Sequence, residues 1–321
     1  MHALRGSAMM PPVLTPGYCA RMPIDRSKAP LAALTMVHEE DFFLERWVSY
    51  WRRFLPDDAI YVLNHGGNAD VARIAAGCNV IRLPYDRLKK SVNQRRWQIL
   101  SQHASALTGF YHWVACNDVD EMVVLDPAIS TDLVGYLMQI AGRDRVPPAL
   151  TCFAIEMVHN VDTETEELMP GQPILGPRRC YRLNSNYAKP CLISRPTEYK
   201  AGGHGANHTQ ITVDPHLYNF HLRFIDHDYC MARFRKSLER RLAGKSEEEQ
   251  QQMQKAGWGW ASVEGTFRAL SQRAPVAETI DHPEFRKAMI EQSISRPPFT
   301  LMGGGRPSDV YRLPERFNGL F

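Results

Sequence analysis

Hydrophobic and polar positions alternate along this chain in blocks of strand and helix length. The first apolar run, residues 31–37, has the length of a buried strand and breaks into His38-Glu39-Glu40-Asp41. Apolar residues then recur at three- and four-residue spacing until Pro56, which predicts an amphipathic helix that ends there. The opening block is therefore predicted to be a strand followed by a helix.

The same block recurs downstream. Further strand patterns lie at 59–63, 79–83 and 111–116, and helical patterns separate them. This alternation predicts an α/β fold with a Rossmann-type, mostly parallel sheet and helices on both faces. Such sheets bind ligands beyond the carboxyl ends of their strands. The polar clusters that begin at His38, Asn64 and Asp118 are therefore expected to face one crevice.

The pattern divides the chain into three parts, of which residues 31–235 are expected to form the α/β domain. Residues 1–30 contain several prolines and no apolar signal core, so a flexible leader is expected. Residues 236–321 are expected to be a mainly helical C-terminal extension. Within it, Ser246 and Glu249 have the spacing of a capping box, and the tail from Arg296 is expected to be loosely held.

Composition narrows the class of protein. With 321 residues and 44% hydrophobic content, the chain is globular and can bury a substantial core. A formal charge of +3 argues against nucleic acid as a partner. Seven scattered cysteines without a C-x-x-C pair predict reduced thiols and a cytoplasmic location. No apolar run approaches the roughly 20 residues of a membrane span, so at most a peripheral membrane association is expected.

The run from Tyr111 to Met122 is apolar and aromatic, and it ends in three acids: Asp118, Asp120 and Glu121. Carboxylates this close repel one another unless a positive group lies among them. Oxygen ligands of this kind suit Mg²⁺ or Mn²⁺, which commonly hold the phosphates of a substrate. The alternative is a strand that ends in a solvated acidic turn.

Other motifs of nucleotide chemistry are missing from the sequence. No strand is followed by G-x-G-x-x-G, and no Walker loop is present, so a nicotinamide site or a P-loop is not expected. An aspartyl phosphatase is an alternative, because its first Asp acts as nucleophile and its second as general acid. Met122 stands where those enzymes usually have a small hydroxylated or branched residue.

Three segments together resemble the family 2-type glycosyltransferases of the GT-A fold, in the branch whose metal motif is Asp-x-Asp-Glu. The segments are residues 36–47, the strand end Asn64-His65-Gly66, and residues 113–121. Lys189-Pro190, the glycine-rich loop around His204, and His221-Leu222-Arg223 are similar to later elements of that branch. The resemblance covers roughly residues 31–240. His38 stands where the branch usually has Asn.

The resemblance implies a metal-dependent enzyme that uses a nucleotide-sugar donor. Asp120 is expected to bind Mn²⁺ or Mg²⁺ directly, with Asp118 binding the metal through water or holding the ribose and donor sugar. His221 is the favoured histidine ligand, followed by His204. The residues expected to contact the substrate are His38, Glu39, Asn64, Asp118, Glu121, Lys189, His204 and Arg223.

The expected activity is transfer of a sugar to an acceptor hydroxyl by inversion, in polysaccharide or glycoconjugate synthesis. Direct displacement needs a general base, for which Glu156 is the first candidate beside Asp120 in the catalytic set, with Asp162 and Asp214 as alternatives. Expected partners are the nucleotide sugar and a glycan or other hydroxyl acceptor. Besides the phosphatase, a non-catalytic protein that binds sugar or nucleotide stays open.

Overall fold

A parallel sheet forms the N-terminal half of the computed structural model, which describes residues 24–85, 92–169, 171–242, 245–255 and 260–321. Its strands lie in the order β3-β2-β1-β4, and every neighbouring pair is parallel. The strands are β1 (Ala29–Val37), β2 (Ile60–His65), β3 (Asn79–Leu83) and β4 (Tyr111–Cys116). The intervening helices are α1 (Asp41–Trp51), α2 (Ala69–Ile74) and α3 (Val92–Leu107).

Helices cover both faces of this sheet, because successive side chains of a strand point to opposite sides. From β1, Leu31 and Ala33 pack in the cluster that contains α1 and α4 (Leu133–Ala141). Leu34 and Met36 pack in a second cluster with the apolar side of α3. The predicted α/β class, with helices on both faces of a parallel sheet, is thus confirmed.

The sheet continues beyond β4 through strands that pair mostly in the antiparallel sense, in the order β4-β8-β6-β7-β13. A long strand, β10, lies parallel to β6 and antiparallel to β5. The strands of this part are β5 (Glu121–Leu125), β6 (Ala149–Val158), β7 (Cys180–Leu183), β8 (Leu192–Ile193), β10 (Val213–Phe224) and β13 (Val310–Arg312). A small separate sheet contains β9 (Gly205–Ala206), β11 (Ile294–Arg296) and β12 (Phe299–Leu301).

Several local predictions match the structure closely. Strand β3 has the predicted bounds, whereas β1 starts at Ala29, within the segment expected to be leader. The capping box is present, since the backbone N–H of Ser246 donates to Glu249 and the backbone N–H of Glu249 donates to Ser246 Oγ. Most of the expected leader, residues 1–23, lies outside the described residues.

The C-terminal region contains helices α5 (His227–Leu242), α6 (Glu247–Lys255), α7 (Trp260–Ser271) and α8 (Pro283–Glu291). The expected boundary at residue 236 falls inside α5. The tail also differs from the expected loose segment, because β13 pairs with β7, and Phe317 and Phe321 pack in the main core. Within the described ranges, no helix is both long and apolar enough to cross a membrane.

Candidate functional site

A cleft opens where the carboxyl ends of β1, β2 and β4 meet. These strands are parallel neighbours, so the polar segments that follow them emerge at one edge of the sheet. The cleft has a volume of about 420 Å³. The charged side chains that line it in the described structure are Glu40, Asp118, Asp120, Arg96, Lys189, Arg223 and Arg233. Acidic and basic groups are therefore mixed in one cavity, with the basic groups in slight excess.

Asp118 is held between two cations at the floor of the cleft. Arg96 approaches one carboxylate oxygen at 2.5 Å, and Lys189 Nζ donates to the other at 2.9 Å. Burial alone raises the pKa of Asp118, but the charges of Arg96 and Lys189 outweigh it and hold the pKa well below its ordinary value. Asp118 is consequently an anion at neutral pH.

Glu121 lies below the cleft floor and shares Lys189 with Asp118. The Lys189 ammonium is 2.6 Å from Glu121 Oε1, and the Glu121 side chain is fully buried. Burial raises the pKa of Glu121, against the opposing charge of Lys189. Burial would lower the pKa of Lys189, yet Asp118 and Glu121 raise it above its ordinary value. Lys189 is thus a fixed buried cation that joins two of the three acids.

Asp120 is paired separately, with a cation from α5. Arg233 Nη1 donates to Asp120 Oδ2 at 3.2 Å, and Arg233 Nε donates to Glu40 at 2.9 Å. Burial raises the pKa of Asp120, but Arg233 and then His221 lower it, with a net decrease. Burial raises the pKa of Glu40 despite the Arg233 charge. Arg233 therefore connects the end of β1 with the acidic tip after β4.

A row of three residues crosses the sheet behind Asp120. The register of β10 places His221 beside Glu121 on β5 and beside Glu156 on β6. His221 Nδ1 is 3.3 Å from Glu156 Oε1, and His221 Nε2 is 3.9 Å from Asp120 Oδ2. The Tyr187 ring stacks on the His221 ring at 3.6 Å. Glu156 and Tyr187 together fix the orientation of His221, with Nε2 on the side of Asp120.

Glu156 itself lies too deep to meet a substrate. Its side chain is only 1% exposed, and Oε2 accepts hydrogen bonds from Arg182 Nε at 2.6 Å and Asn184 Nδ2 at 2.9 Å. Burial raises the pKa of Glu156, but the hydrogen bond from His221 and the charge of Arg182 lower it to about 2. The geometry favours a positioning role for Glu156 over the predicted role of general base.

His204 lines the cleft near Tyr187, with its ring 6.3 Å from the Tyr187 ring. Its Nδ1 is 2.7 Å from the backbone oxygen of Asn186, so Nδ1 carries the proton and donates it to that carbonyl. The other nitrogen, Nε2, has no hydrogen-bond partner within the described part of the chain. Burial, followed by the charge of Lys189, lowers the pKa of His204 to about 4. His204 is therefore a neutral imidazole with a free acceptor nitrogen at neutral pH.

The loop that carries His204 depends on two glycines with positive φ. A Cβ on Gly202 would lie 2.4 Å from the His204 ring, and one on Gly203 would lie 2.3 Å from the Trp97 ring. Both residues also have left-handed backbone conformations, with φ of +85° and +69°. The loop can approach the cleft this closely only with glycine at these positions.

Most predicted site residues converge on the cleft, whereas four do not line it. His38, Asp118, Asp120, Lys189, His204, His221 and Arg223 line it. Asn64 instead closes the turn before α2, accepting from the Asn68 N–H at 2.9 Å and donating to the Asn68 carbonyl at 2.8 Å. Glu39 has a left-handed φ of 53° and pairs with Lys236 at 3.1 Å. The other two are the buried Glu121 and Glu156.

The alternative bases lie elsewhere. Asp214 accepts hydrogen bonds from the Tyr136 hydroxyl and lines a different cavity beside α4. Asp162 lies in the turn after β6, where the Asn160 side chain accepts from its backbone N–H at 3.2 Å. Neither residue lines the cleft.

Sequence reasoning missed the cations of the cleft that come from helices. Arg96 follows Arg95 near the start of α3, and Arg233 lies in the second turn of α5, a helix rich in charged residues. It also missed Glu40, Tyr187 and Trp97. A helical projection could have shown that Arg96 lies at the border of the buried side of α3, next to Trp97. It could not have shown that Arg96 faces Asp118.

The residues at Asp120 fit a metal held largely by its substrate. In the described part of the chain, no three His, Cys, Asp or Glu side chains gather as a closed metal site would require. Mg²⁺, however, is commonly held by one or two protein ligands together with phosphate oxygens. Metal-ligating histidines typically have a carboxylate next to their other ring nitrogen, and Glu156 Oε1 lies 3.3 Å from His221 Nδ1. Asp120 and His221 would be the protein ligands, with Asp118 beside them.

No protein-family model and no curated protein matches this sequence. Among solved structures, the chain is similar to the mannose-1-phosphate geranyltransferase of Thermus thermophilus. The identity is 18% and the TM-score 0.27, over 74% of this chain and 67% of that chain. A second similar structure is a glycosyltransferase involved in the glycosylation of the major capsid of PBCV-1. Its identity is 14% and its TM-score 0.20, over 40% of this chain and 51% of that chain. Neither TM-score is high enough to assign an activity to this chain.

Proposed function

We propose that this protein is a metal-dependent glycosyltransferase that moves a sugar from a nucleotide donor to an acceptor hydroxyl, with inversion, in polysaccharide or glycoconjugate synthesis. The observation that carries the proposal is the pairing of Asp118 and Asp120 with different cations in one cleft at the carboxyl edge of a parallel sheet. A metal diphosphate matches this pattern, because its cation suits the acids and its oxygens suit Arg96, Lys189 and Arg233. The sequence resemblance to GT-A enzymes is independent support.

The nucleoside end of the donor fits the part of the cleft beyond β1 and β2. There the Tyr85 ring lies 4.9 Å from His38 and 5.4 Å from His65, and all three line the cleft. Flat rings of this kind stack on bases with little dependence on sequence. The Nδ1 atom of His38 is 2.9 Å from the His65 backbone oxygen, a contact that fixes the orientation of the His38 ring. The base is accordingly assigned to the Tyr85 side and the diphosphate to the Lys189 side.

The diphosphate leaves with additional negative charge as the bond to the sugar breaks. A bound Mg²⁺ or Mn²⁺ at Asp120 and His221 would supply Lewis-acid stabilisation of that charge. The chain adds fixed positive charge of its own at Lys189, Arg223 and Arg233. These groups lie in a partly buried cleft, where charge stabilisation is stronger than in water.

His204 is the group best placed to accept the proton of the acceptor. The acceptor oxygen forms a bond to the anomeric carbon, the bond from that carbon to the diphosphate oxygen breaks, and the acceptor proton passes to His204 Nε2. Each carboxylate that lines the cleft in the described structure is already paired with a cation, whereas Nε2 is open. The imidazole is neutral at physiological pH, and the negative charge of a diphosphate bound at Lys189 would raise its pKa towards the range of an effective base.

The phosphatase alternative has less support. It requires Asp118 to attack phosphorus as a free nucleophile, yet both Asp118 oxygens are bound to cations, and Lys189 is itself fixed by Glu121. A sugar- or nucleotide-binding protein without catalysis would keep the cleft and show no turnover, so turnover separates it from the proposed enzyme.

A thermal-shift screen of the five common nucleoside diphosphates, with and without Mn²⁺, tests the proposal. At a concentration of 100 Kd, a bound nucleotide adds about 2.7 kcal/mol to the free energy of unfolding, which raises the Tm by several degrees. We expect at least one nucleotide to raise the Tm only when Mn²⁺ is present. Asp120→Asn should remove that shift, and Asp228→Asn, on the exposed surface of α5, should keep it. If no nucleotide gives a metal-dependent shift, the proposal is wrong.

A further inference from the structure

A second, larger cavity adjoins the cleft along the outer side of α3. We call it the glutamine groove: it lies between α3 and the segment 196–201 and has a volume of about 870 Å³. Gln94, Gln98 and Gln102 follow one another at four-residue spacing, so their side chains lie in a row on one face of α3. Phe299 of β12 contributes a ring to the same cavity. The groove runs parallel to the helix axis.

Hydrogen bonds fix the opposite wall of the groove before any ligand binds. Ser105 Oγ donates to the Thr197 backbone oxygen at 3.0 Å and accepts from the Thr197 N–H at 2.9 Å. Ser101 Oγ accepts from the Tyr199 N–H at 2.9 Å. The segment 197–199 is thereby held along α3 at two points. A cavity with a preformed wall loses less conformational entropy on binding than one that must be ordered.

The chemistry of the groove is that of a neutral, hydroxyl-rich ligand. Each glutamine amide offers two donors and one acceptor oxygen, which match the mixed donor and acceptor character of a hydroxyl group. The charged residues that line the groove, Glu198 and Lys200, have opposite signs. An anionic ligand would find no excess of positive charge among the described residues here, in contrast with the cleft.

The groove and the cleft meet at the first turn of α3. Asn93 lines the cleft and the next residue, Gln94, lines the groove. On the opposite wall, Lys200 and Ala201 line the groove and run directly into Gly202, which lines the cleft beside His204. A chain lying in the groove would thus have one end next to the free nitrogen of His204.

We propose that the glutamine groove binds a neutral oligosaccharide acceptor, whose terminal hydroxyl reaches the cleft at His204. This inference rests on the proposed glycosyltransferase function and adds the class of acceptor to it. From Gln94 to Ser105 the groove is roughly 16 Å long at 1.5 Å per residue, which is long enough for several sugar rings in contact with the amides.

Saturation-transfer NMR and titration calorimetry with a panel of neutral oligosaccharides of four to six residues test the proposal. The panel contains glucan, mannan, galactan, xylan and chitin fragments. We expect at least one fragment to bind the wild-type protein and to bind the double variant Gln98→Ala/Gln102→Ala at least tenfold more weakly. Gln139→Ala, an exposed glutamine of α4, is the matched control and should leave the affinity unchanged.

The nucleotide thermal shift in the same samples separates this proposal from the proposed function. The double variant should keep the metal-dependent shift, because alanine is compatible with a helix and the cleft is not altered. No binding by any fragment, or equal binding by the wild type and the double variant, overturns the acceptor proposal. If the wild-type protein shows no metal-dependent nucleotide shift, the proposed function itself is overturned.

Discussion

The cleft and the glutamine groove share helix α3, but their polar side chains differ in charge and in burial. The cleft is lined by charged groups that are partly or fully buried and paired, such as Asp118 with Arg96 and Lys189. The groove is lined mostly by exposed neutral amides and by hydroxyls. The contrast matches a charged donor on one side of α3 and an uncharged acceptor on the other.

The two cavities also differ in the free energy that their side chains cost when the protein folds. Removing an ion from water costs several kcal/mol even after relaxation, and this cost is recovered only if the ion is well paired. Lys189, Asp118 and Glu121 all carry that cost, whereas the glutamines keep their contact with water. The charges of the cleft are therefore hard to explain as stabilising features and easier to explain as binding groups. The following predictions test this contrast.

The largest effect is expected at the buried cation. Lys189→Met leaves Glu121 buried without its cation and Asp118 with one cation fewer, so the free energy of unfolding should fall by about 3–5 kcal/mol. Lys287→Met is the matched control, since Lys287 is exposed and its distance to Glu291 is 3.9 Å. That change should cost less than about 0.5 kcal/mol. Urea denaturation followed by circular dichroism measures both. Equal losses would mean that the cleft charges are not distinct from surface charges.

The second effect concerns catalysis. His204→Ala should reduce kcat for sugar transfer by about a hundredfold or more, because a general base contributes roughly 10²–10⁴-fold. The substrate to use is the sugar nucleotide whose diphosphate gives the largest thermal shift. The shift itself should be unchanged, since His204 is assigned to the acceptor end. His103→Ala, on α3 outside the cleft, is the control. An unchanged kcat would show that His204 is not the general base.

The smallest effect is a dependence of stability on pH. The pKa of His204 falls from its ordinary value of 6.5 to about 4 in the folded protein. Between these pH values the unfolded chain binds more protons at this residue than the folded chain, so stability falls as the pH falls from 6.5 to 4. His204→Gln should lose this part of the decline. Thermal melts of both proteins from about pH 7 to about pH 4 measure it, and parallel curves would show that His204 is not buried as a neutral base.

The sequence was sufficient to predict the parallel strands and the edge at which they end. Strand β3 has its predicted bounds, and β4 ends directly before Asn117, because apolar runs of strand length and their polar breaks are local features. The convergence of His38, Asp118 and Asp120 follows from parallel strand order alone.

The exposure of individual residues could not be predicted in the same way. Strand β6 is buried along its whole length, with β10 on one edge and β7 and β8 on the other, so its sequence has no alternation that would reveal the depth of Glu156. Likewise, the position of Arg233 opposite Asp120 depends on how α5 packs against β10, a long-range contact that no local pattern encodes.

The Trp97 side chain has a consequence for how the two cavities stay separate. Its ring lies 5.4 Å from Lys189 Nζ in the cleft and 5.4 Å from the ring of Tyr199, which lines the groove. Gly203 fills the remaining space against the indole. A smaller residue at position 97 would leave unfilled volume between Lys189 and Tyr199. In the proposed enzyme, the volume of this one indole would help to keep the charged donor and the neutral acceptor apart until their reacting ends meet.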